Sequence, residues 1–216
     1  MIKNTGQIIN SLFQGHILQE KDLANLYEGT AARRYGLVNK AIKRKELLPL
    51  RRGLYMLASQ QGEVSAYYIA NQLVPFSFVT AEAALQFHQW IPERVTQMTS
   101  MIAFGRNKTF HTFLGDFIYK KSLLKLEDFY VGVDRLEINQ RFVLMATPLR
   151  ALVDYIHWYK IKEANMDFLK NSLRIEEENL SSIKFTEIKE LLQSYKSGYV
   201  NKFLNNLMLE RGKSHE

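Results

Sequence analysis

Few side chains in this sequence could do covalent or metal chemistry, and their spacing does not suit it. There is no cysteine, which removes thiol nucleophiles, thiolate zinc sites, iron–sulfur clusters and disulfide scaffolds together. The five histidines, His16, His88, His111, His157 and His215, show neither an HExxH motif nor a paired spacing, so no metal or cofactor is expected. No GxSxG nucleophile elbow occurs. Gly105-Arg106-Asn107-Lys108-Thr109 resembles a phosphate loop only superficially. It has neither the glycine beside the lysine nor the earlier glycine, and reads as a strand turn. Asp116, Asp128, Asp134 and Glu137 could furnish a Mg²⁺-dependent nuclease, but Asn139 stands where such a site places its lysine after Glu137. No catalytic residue is assigned, and the chain is not expected to be an enzyme.

What the sequence does gather is positive charge. The formal net charge is +7, from 29 Lys and Arg against 22 Asp and Glu. Residues 1–58 carry ten basic against four acidic side chains, 59–160 ten against nine, and 161–216 nine against nine. The excess therefore belongs to the first quarter of the chain, the footprint of a small basic module with a polyanionic partner, most commonly nucleic acid. On a helical wheel centred on Val38, the residues Ala31, Tyr35, Ala41 and Ile42 fall within about 60° and form an expected buried stripe. Arg33, Gly36, Lys40, Lys43 and Arg44 fall opposite, with Asn39 at the edge and no acid among them. Arg34 sits near the core edge if the helix begins at Thr30, and is freed if it begins two or three residues later. Arginine can bind guanine bidentately and asparagine adenine in the major groove, while Arg51 and Arg52 would reach phosphate or the minor groove from a neighbouring turn.

The elements that must position these residues follow from periodicity. Ile8, Ile9, Leu12 and Phe13, then Leu23, Leu26 and Tyr27, then Val38, Ala41, Ile42 and Leu47 suggest three short helices, with Gly29 ending the second and Thr30 capping the third. Leu47 to Leu57 gives two apolar runs about a basic turn with Gly53, a β-hairpin. Helix, helix, helix, hairpin is the order of a winged helix-turn-helix over 1–58. Ser59-Gln60-Gln61-Gly62-Glu63 is the expected linker. A mixed domain follows over 63–160: a helix from Val64 to Val74, a strand at Phe76–Val79, a helix from Thr80 to Trp90, and strands near 96–104, 110–122, 128–136 and 138–146 in one antiparallel sheet. Thr147-Pro148 opens a helix to about Lys160, and 161–216 is a helical extension divided at Gly198. The expected fold class is α+β. At 46% hydrophobic and 24% charged residues the chain is long enough for a substantial core. No apolar run approaches the ~18 residues of a membrane span, and a cytoplasmic protein without membrane contact is expected.

Three segments together resemble AbiEi-type antitoxins. The first 58 residues, ending in Leu50-Arg51-Arg52-Gly53-Leu54-Tyr55, look like that family's N-terminal winged helix. Phe78-Val79-Thr80-Ala81-Glu82-Ala83-Ala84-Leu85-Gln86-Phe87-His88 resembles its strand followed by an alanine-leucine helix with a histidine. Met145-Ala146-Thr147-Pro148-Leu149-Arg150-Ala151-Leu152-Val153-Asp154 resembles its ATPERALLD segment. Gln89 and Leu149 depart from the family pattern, which has glycine and an acidic residue there. The resemblance spans about residues 1–160. It implies a bacterial antitoxin that represses its own operon by binding operator repeats in double-stranded DNA, as a monomer or as a cooperative assembly on DNA. It also implies a nucleotidyltransferase-type toxin, counteracted often without a stable complex. His88, Arg150 and Asp154 are the antitoxin-domain candidates it picks out. Their ordinary structural roles would be a hydrogen-bonded helix histidine near Trp90 and, at Asp154, a surface or capping acid of the 147–160 helix, where an i,i+4 pair with Arg150 is worth a few tenths of a kcal/mol if exposed. Two other readings fit the residues: a winged-helix regulator with a ligand-sensing second domain, and the metal-dependent nuclease weighed above.

Overall fold

The computed structural model describes residues 17–26 and 29–213. The helix expected over Ile8 to Phe13 lies outside the described residues. The chain begins with β1 (Leu18–Gln19), α1 (Glu20–Leu26), α2 (Ala31–Lys43), β2 (Leu47–Arg51) and β3 (Leu54–Leu57). The three strands form an antiparallel sheet in the order β1-β3-β2. Gly53, at a φ of +74°, makes the hairpin turn in a region L-residues avoid, and its carbonyl accepts from Glu20 N at 3.1 Å. The turn is thereby fixed to the start of α1.

Pleating gives this hairpin two apolar faces, because successive side chains point to opposite sides. Leu47 and Leu57 join Leu18, Leu23, Val38 and Ala41 in a small cluster beneath the helices. Leu50, Leu54 and Met56 point the other way, into the main core of the molecule. A strand pair buried on both faces cannot be an independent wing. The expected linker, Ser59 to Glu63, begins within a 3₁₀ turn at Ala58–Gln60 and is exposed except for the buried Gln60.

Beyond it come α3 (Ala66–Leu73), β4 (Phe78–Val79), α4 (Ala81–Phe87), β5 (Gln97–Ile102), β6 (Lys108–Thr112), β7 (Gly115–Lys121), β8 (Val133–Ile138), β9 (Arg141–Ala146) and α5 (Pro148–Trp158). The six strands form one sheet in the order β6-β7-β5-β4-β9-β8. It is mixed, not wholly antiparallel as expected: β5 pairs with β7, and β4 with β9, in parallel. Two placements cause this: β5 meets the second strand of the β6–β7 hairpin instead of the first, and β4, contributed from before α4, lies between β5 and the β8–β9 hairpin. The segment expected as one strand over 110–122 is folded on itself at Gly115, whose φ of +109° suits a turn. Helix α4 stops at Phe87 rather than Trp90, with His88 as its C-cap and Gln89 at a φ of +60°. Ser65 and Thr147 cap α3 and α5 through side-chain oxygens that accept from Tyr68 N and Arg150 N.

The C-terminal region is helical but broken more often than expected. It has a π-helical turn at Phe168–Ser172, then α6 (Glu177–Ser181), α7 (Phe185–Ser194) and α8 (Gly198–Lys213). Leu169, Leu180, Ile188, Leu191, Val200, Phe203, Leu204 and Leu207 carry it into the main core. Among the described residues no helix is long and apolar enough to cross a membrane.

Candidate nucleic-acid interface

Thr30 sets the start of α2, its Oγ1 accepting from Arg33 N at 3.3 Å. From that start, Val38 and Ala41 are buried, while Arg33, Lys40, Lys43 and Arg44 are exposed and Asn39 is half-buried at the edge. Lys45, just past the helix, adds another exposed charge. Two members of the expected buried stripe are not inside: Ala31 is exposed and Tyr35 is 70% exposed. The stripe holds only over the C-terminal half of α2, where Val38 and Ala41 share the small cluster with Leu47 and Leu57. The N-terminal turns project past it, which adds an aromatic ring to the exposed surface of a basic helix.

Arg34 is half-buried, with its Nη1 donating to Gly29 O at 2.8 Å, so it braces the helix start. Arg51 and Arg52, side by side in sequence, have different surroundings. Arg51 is half-buried and donates from Nε to Leu73 O at 3.0 Å and from Nη1 to Arg52 O at 3.1 Å. Its guanidinium clamps the hairpin to α3. Arg52 remains exposed at the turn.

The other sequence candidates form a separate set in the body. His88 Nε2 lies 2.9 Å from Ala146 O, so the ring donates there and ties the end of α4 to β9. Burial lowers its pKa, with the Ala146 carbonyl and Asp134 pulling the other way. Trp90, the neighbour expected for it, is buried; the His88 ring packs edge-on against Phe87. Arg150 and Asp154 are not the exposed pair the spacing alone suggests. Both side chains have 0% exposure, and Arg150 Nε donates to both Asp154 oxygens at 3.1 Å. Arg150 Nη1 donates to Val131 O at 2.5 Å and Phe129 O at 3.2 Å, and the guanidinium lies 4.9 Å from the Phe78 ring centre.

Asp154 accepts in addition from Thr80 Oγ1 at 2.6 Å and from the Tyr195 hydroxyl. Burial opposes the charge on Arg150, but Asp154 and Tyr195 outweigh it and keep the pKa above the ordinary value. Burial, then Asp154, pushes the Tyr195 hydroxyl well above its own. The result is a sealed polar knot joining α4, α5, the 129–131 loop and the end of α7. It needs Gly132: at a φ of +67° a Cβ there would sit 2.9 Å from Arg150 Cβ. Thr80 and Tyr195 were not foreseen. The apparent helix-capping role of Thr80 hides the fact that its hydroxyl goes to Asp154, and Tyr195 lies too far along the chain for any local pattern to connect it.

Asp116, the one acid of the four that pairs with a histidine, lies 2.7 Å from His111 Nδ1. Among the described residues, no three His, Asp or Glu side chains are grouped as a metal site. The chain matches no protein-family model and no curated protein sequence.

Proposed function

We propose that this chain is a DNA-binding antitoxin of AbiEi type, in which α2 enters the major groove as the recognition helix of a winged helix and the turn at Arg52 contacts the backbone. The observation that carries the DNA-binding part is the one-sided helix α2, with Val38 and Ala41 inside, Arg33, Lys40, Lys43 and Arg44 outside, and no acid along its length. The described order of strand, helix, helix and hairpin supports it. Repression of its own operon through operator repeats, as a monomer or a cooperative assembly, and neutralisation of a nucleotidyltransferase-type toxin rest on the three segments that resemble the family. Under this reading the buried Arg150–Asp154 knot and His88 shape the antitoxin part from within, since neither charge of the knot can touch a partner.

The test is binding to the DNA upstream of the chain's own gene at several salt concentrations. If about four phosphates are neutralised per subunit, log K should fall against log salt with a slope of about −3.6. A slope near zero rejects the surface. Co-expression with the adjacent reading frame tests the other half: a toxic nucleotidyltransferase whose effect this chain does not relieve removes the antitoxin assignment while leaving DNA binding intact.

A further inference from the structure

A cavity of about 290 Å³ opens between the end of β7 and the end of α5. Its polar lining is Asn107, Lys120, Lys121, Ser122, His157 and Tyr195, beside the ring of Trp158. These groups offer it mainly donors. Asn107 Oδ1 already accepts from Lys121 N at 2.8 Å, and Ser122 Oγ from Leu124 N at 3.0 Å, which leaves an amide NH₂ and a hydroxyl proton. The lysines can only donate. Among the described residues neither lysine forms an ion pair with a carboxylate. Lys120 is instead held 4.0 Å from the centre of the Trp158 ring, an arrangement that fixes a half-buried ammonium without neutralising it.

We propose that this cavity binds the phosphoryl group of a small metabolite, gripped by Lys120 with the Asn107 amide and the Ser122 hydroxyl beside Trp158. Separate donors arriving from different residues suit a tetrahedral phosphate, whereas a carboxylate is best met by the planar fork of an arginine, which the lining does not contain. The volume sits at the lower edge of small-molecule pockets, roughly 300–1,000 Å³, so a mononucleotide or something smaller is the right size. The acids nearby do not fill the role. Glu82 acts on Lys120 at a distance and accepts a hydrogen bond from Tyr159, while Asp154 lies beyond Tyr195 with Arg150 as its counter-charge. Burial lowers the pKa of Lys120, and Glu82 raises it only in part; a bound anion would supply the missing charge. Tyr195 lines the cavity, but its hydroxyl is already given to Asp154. None of this depends on the DNA-binding reading.

The full chain should be titrated with AMP, inorganic phosphate and adenosine, following tryptophan emission and Tm. Trp158 is the half-buried one of two tryptophans, the other being the buried Trp90. AMP and inorganic phosphate should change the emission and raise Tm, and adenosine should do neither. Lys121→Gln, whose side chain leaves the opposite face of β7, should leave AMP binding unchanged. Lys120→Gln should weaken AMP by about tenfold, the loss of one charge-assisted contact, and should shift the Trp158 emission without ligand. Arg33→Ala with Lys40→Ala should leave AMP binding unchanged. The proposal is overturned if adenosine binds as well as AMP, if both phosphate probes are silent at millimolar concentration, or if binding is lost in the α2 variant and kept in Lys120→Gln.

Discussion

Arg150 and Asp154 show how far one side chain's role depends on its surroundings. On an exposed helix the pair would contribute a few tenths of a kcal/mol; at 0% exposure, removing one partner strands the other as a buried charge. Arg150→Met should therefore cost about 3–5 kcal/mol, read from the urea midpoint, while Tyr195→Phe should cost about 1–3 kcal/mol. An Arg150→Met midpoint equal to wild type would mean that the knot is not closed. The two half-buried histidines give a pH prediction. Burial sets the pKa of His88 and His157 below the ordinary 6.5, so between the two values the unfolded chain binds more protons than the folded one. Their contribution is complete above the ordinary value and is lost as pH falls through the folded value. The urea midpoint should drop from about pH 7 toward about pH 5, less steeply in His88→Gln, and a flat profile would contradict the assigned burial. The motif containing Arg150 and Asp154 was legible in the sequence, but their burial was not, because it is imposed by Phe78, Phe129 and Tyr195 from distant parts of the chain.

The helix α2 was legible because Thr30, Val38 and Ala41 obey local rules of capping and periodicity. What could not be read was where its neighbours stop, and so Tyr35 was placed inside when it lies outside. Replacing Arg33 and Lys40 together by alanine should abolish operator binding without changing the thermal midpoint, since both are exposed; a double variant that still binds at ordinary salt would exclude α2 from the groove. The arginines of the hairpin should now behave differently from one another. Arg52→Ala is expected to reduce the salt slope by about 0.9. Arg51→Ala should leave the slope alone and lower stability by about 1–2 kcal/mol, as the bond to Leu73 O is lost. Equal effects of the two on the slope would show that Arg51 leaves its clamp when DNA binds.

The basic module and the body have their charge balance written separately but share a core through Leu50, Leu54 and Met56. A fragment of residues 1–58 would expose that face, so it should show no cooperative unfolding transition by circular dichroism; a sharp transition would mean that the module folds without the body. Composition and element order gave the α+β class, and the pairing of β4 was beyond them, because the strand expected at Phe76–Val79 carries no local mark of which strands it joins. Yet Phe78 and Val79 hold the middle of the sheet, bonded to β5 on one side and to Met145 of β9 on the other. During synthesis one edge of β4 must therefore wait until the ribosome has released the residues around Met145. Until then the β5–β7 half ends in an unpaired strand edge open to other nascent chains, and chaperone demand in the cell should be greatest over that interval.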